Sequence, residues 1–361
     1  LPKKHINAQP DLVDDDGVRL FFKPVQKKAE KTRTKIKRSK SLDNNAVSGI
    51  VVSPAGPKWW VKGLDASLLC TVSGTVDCSH TSTMVAVGDR VWVVPLVEDE
   101  GADGEVVHQN EAMIVKVEPR STLLSRKAAG KQDKEQVLVA NVNQLCVVVS
   151  TVMPTYNKRL IDRYLIAADK GDLRPIIVVN KTDLLADEFQ QDVIDDFDVY
   201  ANKLGIPVLM VSAAKNTGIE ELEAHLTGAE TLFSGPSGVG KSSLINRLTK
   251  SNLRIGDISE YYEKGTHTTT GALRIELPCG GAIVDSPGLR EFAIWDLDPQ
   301  EVQFYFEEFI PYTTKCRFTS CTHTHEPDCA VKEAVDNGEL DVERYLSYMY
   351  ILHGNADEHE R

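Results

Sequence analysis

The sequence predicts three architectures in one chain: a small N-terminal β-barrel, a central α/β domain with a mainly parallel sheet, and a mainly helical C-terminal module built round a metal. Three observations predict this. Short β segments with turn residues between them fill residues 46–117, and from Leu138 strands alternate with helices. Three cysteines and two histidines then crowd into the stretch Cys316–Cys329.

A chain of 361 residues has room for two or three domains, and 42% hydrophobic content is ordinary for globular protein. No apolar run approaches the ~18–20 residues of a membrane span. The net charge of −12 argues against a general nucleic-acid binder, but the charge is uneven. Residues 21–40 carry nine Lys or Arg and only Glu30 as an acid, a local charge of +8 that leaves −20 on the rest. A basic arm on an acidic body suits a polyanion met through one edge. The seven cysteines are an odd number and three are clustered, which reads as reduced thiols plus a metal site. The chain begins at Leu1, as a trimmed chain or one that has lost a targeting peptide would.

Taken in order, residues 1–45 form a basic arm with no apolar period, expected to be flexible when free. Residues 46–130 follow as a barrel. Ala46–Val52, Trp59–Leu64, Leu68–Val72, Met84–Val87, Arg90–Pro95 and Met113–Val117 all read as strands, with Gly88-Asp89 as a turn between two of them. Five or six strands in so short a stretch favour an OB-fold. Glu98–Glu105 reads as an acidic loop. Lys116, Arg120, Arg126, Lys127 and Lys131 suit either a rim that contacts nucleic acid or a solubilising surface.

The alternating region, residues 131–290, predicts a parallel sheet with ligand loops at the carboxyl ends of its strands. Val137–Ala140, Leu145–Thr151, Ile176–Val179, Pro207–Val211 and Thr231–Phe233 are its strand candidates, and Leu160–Ala168, Val193–Leu204 and Ile219–His225 its helices. Gly235-Pro236-Ser237-Gly238-Val239-Gly240-Lys241-Ser242-Ser243 fits G-x-x-x-x-G-K-[ST] between a buried strand and a helical run. Glycines let the backbone N–H groups turn inward round a phosphate chain, and the helix N-terminus adds partial positive charge. Lys241 would reach the β- and γ-phosphates, and Ser242 would place its hydroxyl on Mg²⁺.

Asn180-Lys181-Thr182-Asp183 closes an earlier strand. A carboxylate such as Asp183 pairs with the adjacent N1–H and 2-amino donors of guanine. Adenine would leave it desolvated and unpaired, a discrimination that can reach roughly 10⁴-fold. Asn180 can tether neighbouring loops, and the Lys181 stem can lie along the base. The turn Ser212-Ala213-Ala214-Lys215 would offer a backbone N–H to guanine O6. Farther on, Ile283-Val284-Asp285-Ser286-Pro287-Gly288 is a strand ending in D-x-x-G. Asp285 would hold the Mg²⁺ shell through water and the Gly288 N–H would sense the γ-phosphate. In the loop Gly265–Thr270, Thr268 or Thr269 is expected on Mg²⁺.

GTPases ordinarily run from the phosphate loop through D-x-x-G to N-K-x-D and Ser-Ala. Here the last two come first, so the central part reads as a circularly permuted P-loop GTPase domain. D-x-x-G then leads straight out into residues 291–361, where helical segments at Pro299–Phe309, Val331–Asn337 and Asp341–Leu352 surround the cysteines. Cys316, Cys321, Cys329 and a histidine, His323 or His325, suit one tetrahedral structural Zn²⁺.

On these residues, from about Ser48 to Leu352, the chain resembles the RsgA (also called YjeQ) family, the circularly permuted GTPases that act on the small ribosomal subunit. Ala140-Asn141-Val142-Asn143-Gln144 and Leu160–Tyr164 add to the likeness. The resemblance implies GTP hydrolysis to GDP and phosphate, stimulated by the small subunit and its rRNA during late maturation, and His323 as the fourth zinc ligand. A monomer without membrane contact is expected. The basic arm and the acidic insert depart from the compact bacterial pattern and, with the missing Met, fit an organelle form; a bacterial cytoplasm is the alternative.

A Gln follows D-x-x-G in Ras-like enzymes and orients the attacking water; here the position holds Leu289. Intrinsic hydrolysis is therefore expected to be slow, and His267, on the threonine loop, is the candidate catalytic group. The competing class is a GTP-gated adaptor for a protein partner with slow incidental turnover. An ATP-driven motor conflicts with Asp183.

Overall fold

The computed structural model describes residues 12–13, 19–20, 45–63, 66–74, 76, 83–96, 111–127, 135–250, 272–285 and 298–353. The chain divides into two compact units, Leu1–Asp43 and Asn44–Arg361. In the first, β1 (Leu12–Val13) pairs antiparallel with β2 (Arg19–Leu20), a short pairing that the arm's sequence did not announce. The basic run 21–40 and the acidic insert lie outside the described residues.

The second unit opens with a closed barrel of β3 (Val47–Ala55), β4 (Lys58–Lys62), β5 (Ser67–Val72), β6 (Arg90–Pro95) and β7 (Glu111–Val117), in the order β3-β4-β5-β7-β6. Only β5 and β7 pair in parallel, and β3 closes on β6. This is the OB arrangement expected from the strand count. Alternation sets the inside: Val51, Val61, Cys70, Val91, Val93 and Ile114 fill the barrel, whereas Trp92 points out and donates to Glu118 at 2.8 Å. Bulges between Val51 and Ser53 and between Trp92 and Val93 bend the strands round the closure.

One barrel expectation is corrected. Met84–Val87 forms no strand; Val87 makes a single bridge to Val139. Val85, Ala86 and Val87 are apolar because they are buried. The turn at Gly88-Asp89 is present, with Gly88 at φ +88° and the Asp89 N–H donating to the Ala86 carbonyl at 3.1 Å, but Asp89 does not face solvent. It is fully buried, bonds the Ala86 N–H at 2.7 Å, and takes the Arg120 guanidinium in a two-pronged pair at 2.8 and 2.9 Å. Arg120 is thereby committed to holding the barrel together.

A hairpin of β8 (Leu123–Lys127) and β9 (Glu135–Ala140) connects the barrel to a six-stranded sheet. That sheet contains β10 (Gln144–Ser150), β11 (Arg174–Asn180), β12 (Val208–Met210), β13 (Glu230–Ser234), β14 (Leu273–Glu276) and β15 (Ala282–Asp285), ordered β12-β11-β10-β13-β15-β14. All neighbours are parallel except β14 and β15. The strand before the phosphate loop, β13, is late in sequence yet central in space. From β10 the chain winds outward to β12, then returns across β10 to β13. That reversal opens a crevice at the carboxyl ends of β10 and β13. Helices α1 (Lys158–Lys170), α2 (Gln190–Asp196), α3 (Ile219–Leu226) and α4 (Lys241–Leu248) flank the sheet. The long helix expected over Val193–Leu204 is broken after Asp196, and Val199–Lys203 winds as a wider turn.

The C-terminal module holds α5 (Ile310–Thr313), α6 (Ala330–Asp336) and α7 (Val342–Leu352). The helix expected over Pro299–Phe309 is two tight turns, Val302–Tyr305 and Glu307–Phe309. Phe306 breaks the run between them, fully buried, stacked on Phe309 at 5.3 Å and edge-on to Tyr348 at 5.4 Å.

Candidate nucleotide site and metal centre

The phosphate loop leaves β13 at Ser234 and enters α4 at Lys241, as its motif requires. Gly235 has φ +144°, and a Cβ there would sit 2.0 Å from the Val148 carbonyl oxygen on β10. Gly240, the residue before α4, has φ +93°, and its Cβ would fall 2.3 Å from Asn180 Nδ2. Only glycine satisfies both the backbone angle and the close approach.

Asn180 closes β11 and is 2% exposed. Its Nδ2 donates to the Val239 carbonyl at 2.8 Å, and its Oδ1 accepts the Ala213 N–H at 3.1 Å. One side chain therefore ties the phosphate loop to the Ser212–Lys215 turn. Ser212 Oγ donates to Asp183 Oδ1 at 2.6 Å and accepts the Lys215 N–H at 3.0 Å, which fixes the carboxylate against that turn. Thr182 is anchored through its hydroxyl to the Val211 carbonyl at 3.0 Å. Lys181 has φ +64° and donates to the carbonyls of Met153 and Val152. Lys241 Nζ donates to the carbonyls of Gly235 and Pro236 at 2.7 and 2.8 Å. Asn180, Lys181, Asp183, Ala213, Gly240 and Ser243 all line one cleft of about 960 Å³.

Asp285 ends β15 opposite Phe233, one residue short of the end of β13, so it stands at the phosphate-loop edge of the sheet. His267, Thr268, Thr269, Gly288 and Leu289 lie outside the described residues.

In the C-terminal module, Cys316, Cys321, His323 and Cys329 bring their ligand atoms within 4.8 Å of one another. His323 Nδ1 lies 3.6 Å from Cys316 Sγ and 3.4 Å from Cys329 Sγ, and the two sulfurs are 3.9 Å apart. His325 is exposed and bonds Thr324, which leaves His323 as the histidine in the group. His323 Nε2 faces Gln303 Oε1 at 2.9 Å, so Nε2 carries the proton and Nδ1 faces the sulfurs. Burial pushes the Cys321 thiol up to about 12, raises that of Cys329, and lowers His323. A coordinated cation reverses the thiol shifts, and a neutral imidazole is the form a metal takes. The four residues could hold a metal ion.

Sequence reasoning missed Gln303, and it missed Arg247 on α4, which donates to the Ala213 carbonyl at 2.9 Å and the Ala214 carbonyl at 3.4 Å.

A phosphate loop at the sheet crevice, a guanine-type N-K-x-D segment bonded to it, and a strand order entered at the base-reading half define a circularly permuted GTPase. The RsgA GTPase family model matches residues 117–295. A Chlorobaculum parvum protein named small ribosomal subunit biogenesis GTPase RsgA is 41% identical over 86% of this chain and 98% of its own length. The chain belongs to the RsgA GTPase family. A protein of the same name from Pectobacterium carotovorum is 36% identical, covering 92% of this chain and 91% of its own. Among solved structures, YjeQ from Thermotoga maritima aligns with a TM-score of 0.66 and 32% identity over 86% of this chain and 98% of that one. YloQ, described as a circularly permuted GTPase, aligns at 0.63 and 25% identity over 89% and 99%.

Proposed function

We propose that the chain binds the small ribosomal subunit and assists its late maturation, hydrolysing GTP at a rate the subunit stimulates. The observation that carries the nucleotide half is the joint through Asn180, which puts the Asp183 carboxylate and the phosphate loop on one cleft. The ribosomal half rests on the names of the bacterial relatives.

In this reading Asp183 pairs the guanine N1–H and 2-amino group, with Ser212 holding its other side. The Lys181 stem covers the base and the Ala213 region meets O6. Gly235–Ser243 wraps the phosphates, with Lys241 turning from its own loop carbonyls to the β- and γ-oxygens. Mg²⁺, held by Ser242, by Thr268 or Thr269, and through water by Asp285, would neutralise charge developing between the phosphates. His267 orients the attacking water, since Leu289 has no group for it, and Gly288 reads the γ-phosphate. His267→Ala is expected to lose subunit-stimulated turnover with GTP binding intact; full turnover would refute that role.

The metal is Zn²⁺. With Zn–S about 2.3 Å and Zn–N about 2.0 Å, a tetrahedron has S···S edges near 3.8 Å and S···N edges near 3.5 Å, close to the three separations among Cys316, His323 and Cys329. Its role is to hold together residues 291–361. The remaining parts are the arm 1–45, the OB-fold 46–130 with rRNA as its partner, and the permuted G domain 131–290. The chain acts as a monomer. Bacterial relatives support a bacterial cytoplasm over an organelle. Among the described residues no helix is long and apolar enough to cross a membrane.

The test is the GTPase rate with and without purified ribosomal subunits. Strong acceleration by small subunits and little by large ones is expected. No acceleration by any ribosomal particle would favour a GTP-gated adaptor instead.

A further inference from the structure

Ala213 is held from two sides, by Asn180 at the end of β11 and by the helix that follows the phosphate loop. Its N–H bonds Asn180 Oδ1 at 3.1 Å, and Asn180 in turn bonds the Val239 carbonyl. Its carbonyl accepts from Arg247 Nε at 2.9 Å, and the next carbonyl, of Ala214, accepts from Arg247 Nη2 at 3.4 Å. Arg247 lies on α4, whose first residue is Lys241 of the phosphate loop. Neighbouring bonds fasten the same turn at its base: Ser212 and Thr217 exchange backbone bonds at 3.0 and 3.1 Å. Within the turn the Lys215 N–H bonds Ser212 Oγ at 3.0 Å, and the carbonyls of Ala213 and Ala214 are taken by one guanidinium reaching across from α4.

We propose that Arg247 is a positioning residue for base recognition. A peptide plane is rigid and trans, so pinning its carbonyl also fixes the direction of its N–H. Guanidinium nitrogens set in a fixed fork hold two successive carbonyls, and the Ala213 carbonyl shares its peptide plane with the Ala214 N–H, the one left to face a purine O6 while Ser212 takes that of Lys215. α4 thus carries both the end of the phosphate cradle and the strut that aims the base-reading turn. Arg247 touches neither the N1–H nor the 2-amino group of guanine; Asp183 reads those. Its contribution is to the O6 side alone.

This proposal rests on the guanine-nucleotide reading above, and the experiment separates the two. The full chain and its Arg247→Ala and Arg247→Lys variants are titrated with GDP, IDP and ADP by calorimetry. IDP keeps O6 and lacks the 2-amino group. Arg247→Ala is expected to weaken GDP and IDP by the same factor, about tenfold. Arg247→Lys, which keeps one donor, is expected to recover part of the loss. In the subunit-stimulated reaction KM is expected to rise with kcat nearly unchanged. GDP binding unaltered in Arg247→Ala, or a fall in kcat and thermal stability with no change in nucleotide affinity, would overturn the proposal. A collapsed GDP/IDP ratio would do the same, because it would place Arg247 on the Asp183 side. Wild-type chain that binds ADP as tightly as GDP would overturn the guanine reading and this proposal with it.

Discussion

Arg344 of the C-terminal module donates to Asp162 on α1 of the G domain at 2.6 Å, and the two side chains are 4% and 0% exposed. The same guanidinium takes Glu308 at 2.7 and 3.1 Å and lies over the ring of Phe306 at 4.4 Å. Tyr200 Oη donates to the same Asp162 oxygen at 2.8 Å. The module is thereby bolted to a helix of the sheet domain as well as joined through the chain after D-x-x-G. Any movement passed on by that segment must carry α1 along or break this joint.

Removing one member of a buried ion pair strands the other, at a cost of about 3–5 kcal/mol. Arg344→Met is expected to lower stability by an amount in that range, measured by urea unfolding followed through intrinsic fluorescence. Arg344→Met with Asp162→Asn is expected to recover part of the loss, since the fully buried carboxylate is then neutral and only Glu308, 11% exposed, still lacks its partner. A single variant as stable as wild type would show that the joint does not rest on this pair.

Asp183 supplies only acceptors to a base. Asp183→Asn replaces one acceptor with an N–H donor, which opposes the donors of guanine and suits the 2-oxo group of xanthine. GDP affinity is expected to fall at least about a hundredfold, with a gain for xanthosine diphosphate. Nucleotide competition against a fluorescent analogue measures both. Ser212→Ala is expected to act more weakly in the same direction, because it removes the hydroxyl that holds the carboxylate and leaves the carboxylate itself.

The motifs could be read from the sequence because each is contiguous: Asn180–Asp183, Gly235–Ser243 and Cys316–Cys329 carry their chemistry in local spacing. The five barrel strands and every sheet strand except the edge strand β14 were legible for the same reason, through alternation and buried runs. Contacts between distant segments were not. Arg247 meets Ala213 across 34 residues, His323 meets Gln303 across 20, and Arg344 meets Asp162 across 182. In each case a polar side chain sits on an element whose periodicity says nothing of its partner. Asp162 even lies among the buried residues of α1, between Ile161 and Tyr164, where the pattern called for an apolar face alone. Met84–Val87 misled in the opposite way: burial explains its apolarity without a strand.

The Cys316, Cys321, His323 and Cys329 cluster and the cleft at the phosphate loop draw on separate residues, so they are expected to respond separately. Chelation, or Cys316→Ser, is expected to release about one zinc per chain and to unfold the C-terminal module. The change is read by metal analysis and by near-UV dichroism from Tyr345 and Tyr348, which pack on His323 through bonds to the His323 and Thr322 carbonyls at 2.7 and 2.6 Å. GDP affinity is expected to stay within about threefold, because no cleft residue is drawn from the module. A chelated protein that keeps the tyrosine signal would mean that packing, not metal, holds the module.

Glu326 is expected to shape the acid limb of that same module. Burial alone would raise its carboxyl. Donation from the Thr322 hydroxyl at 2.6 Å, the Thr322 N–H at 2.8 Å and the Thr324 N–H at 3.0 Å outweighs it and brings the group from 4.5 down to about 2. A carboxylate depressed in the folded state adds stability that is fully present above its unfolded value and is lost as pH falls through the folded one. Glu326→Gln keeps the shape but turns a donor toward those N–H groups. Its melting temperature is expected to lie below wild type at neutral pH, with the gap narrowing as pH falls from 4.5 toward about 2. Proton competition for the metal ligands affects both proteins alike, so the difference between them isolates the carboxylate. A gap of constant size through that window would mean that the glutamate acts by shape and not by charge.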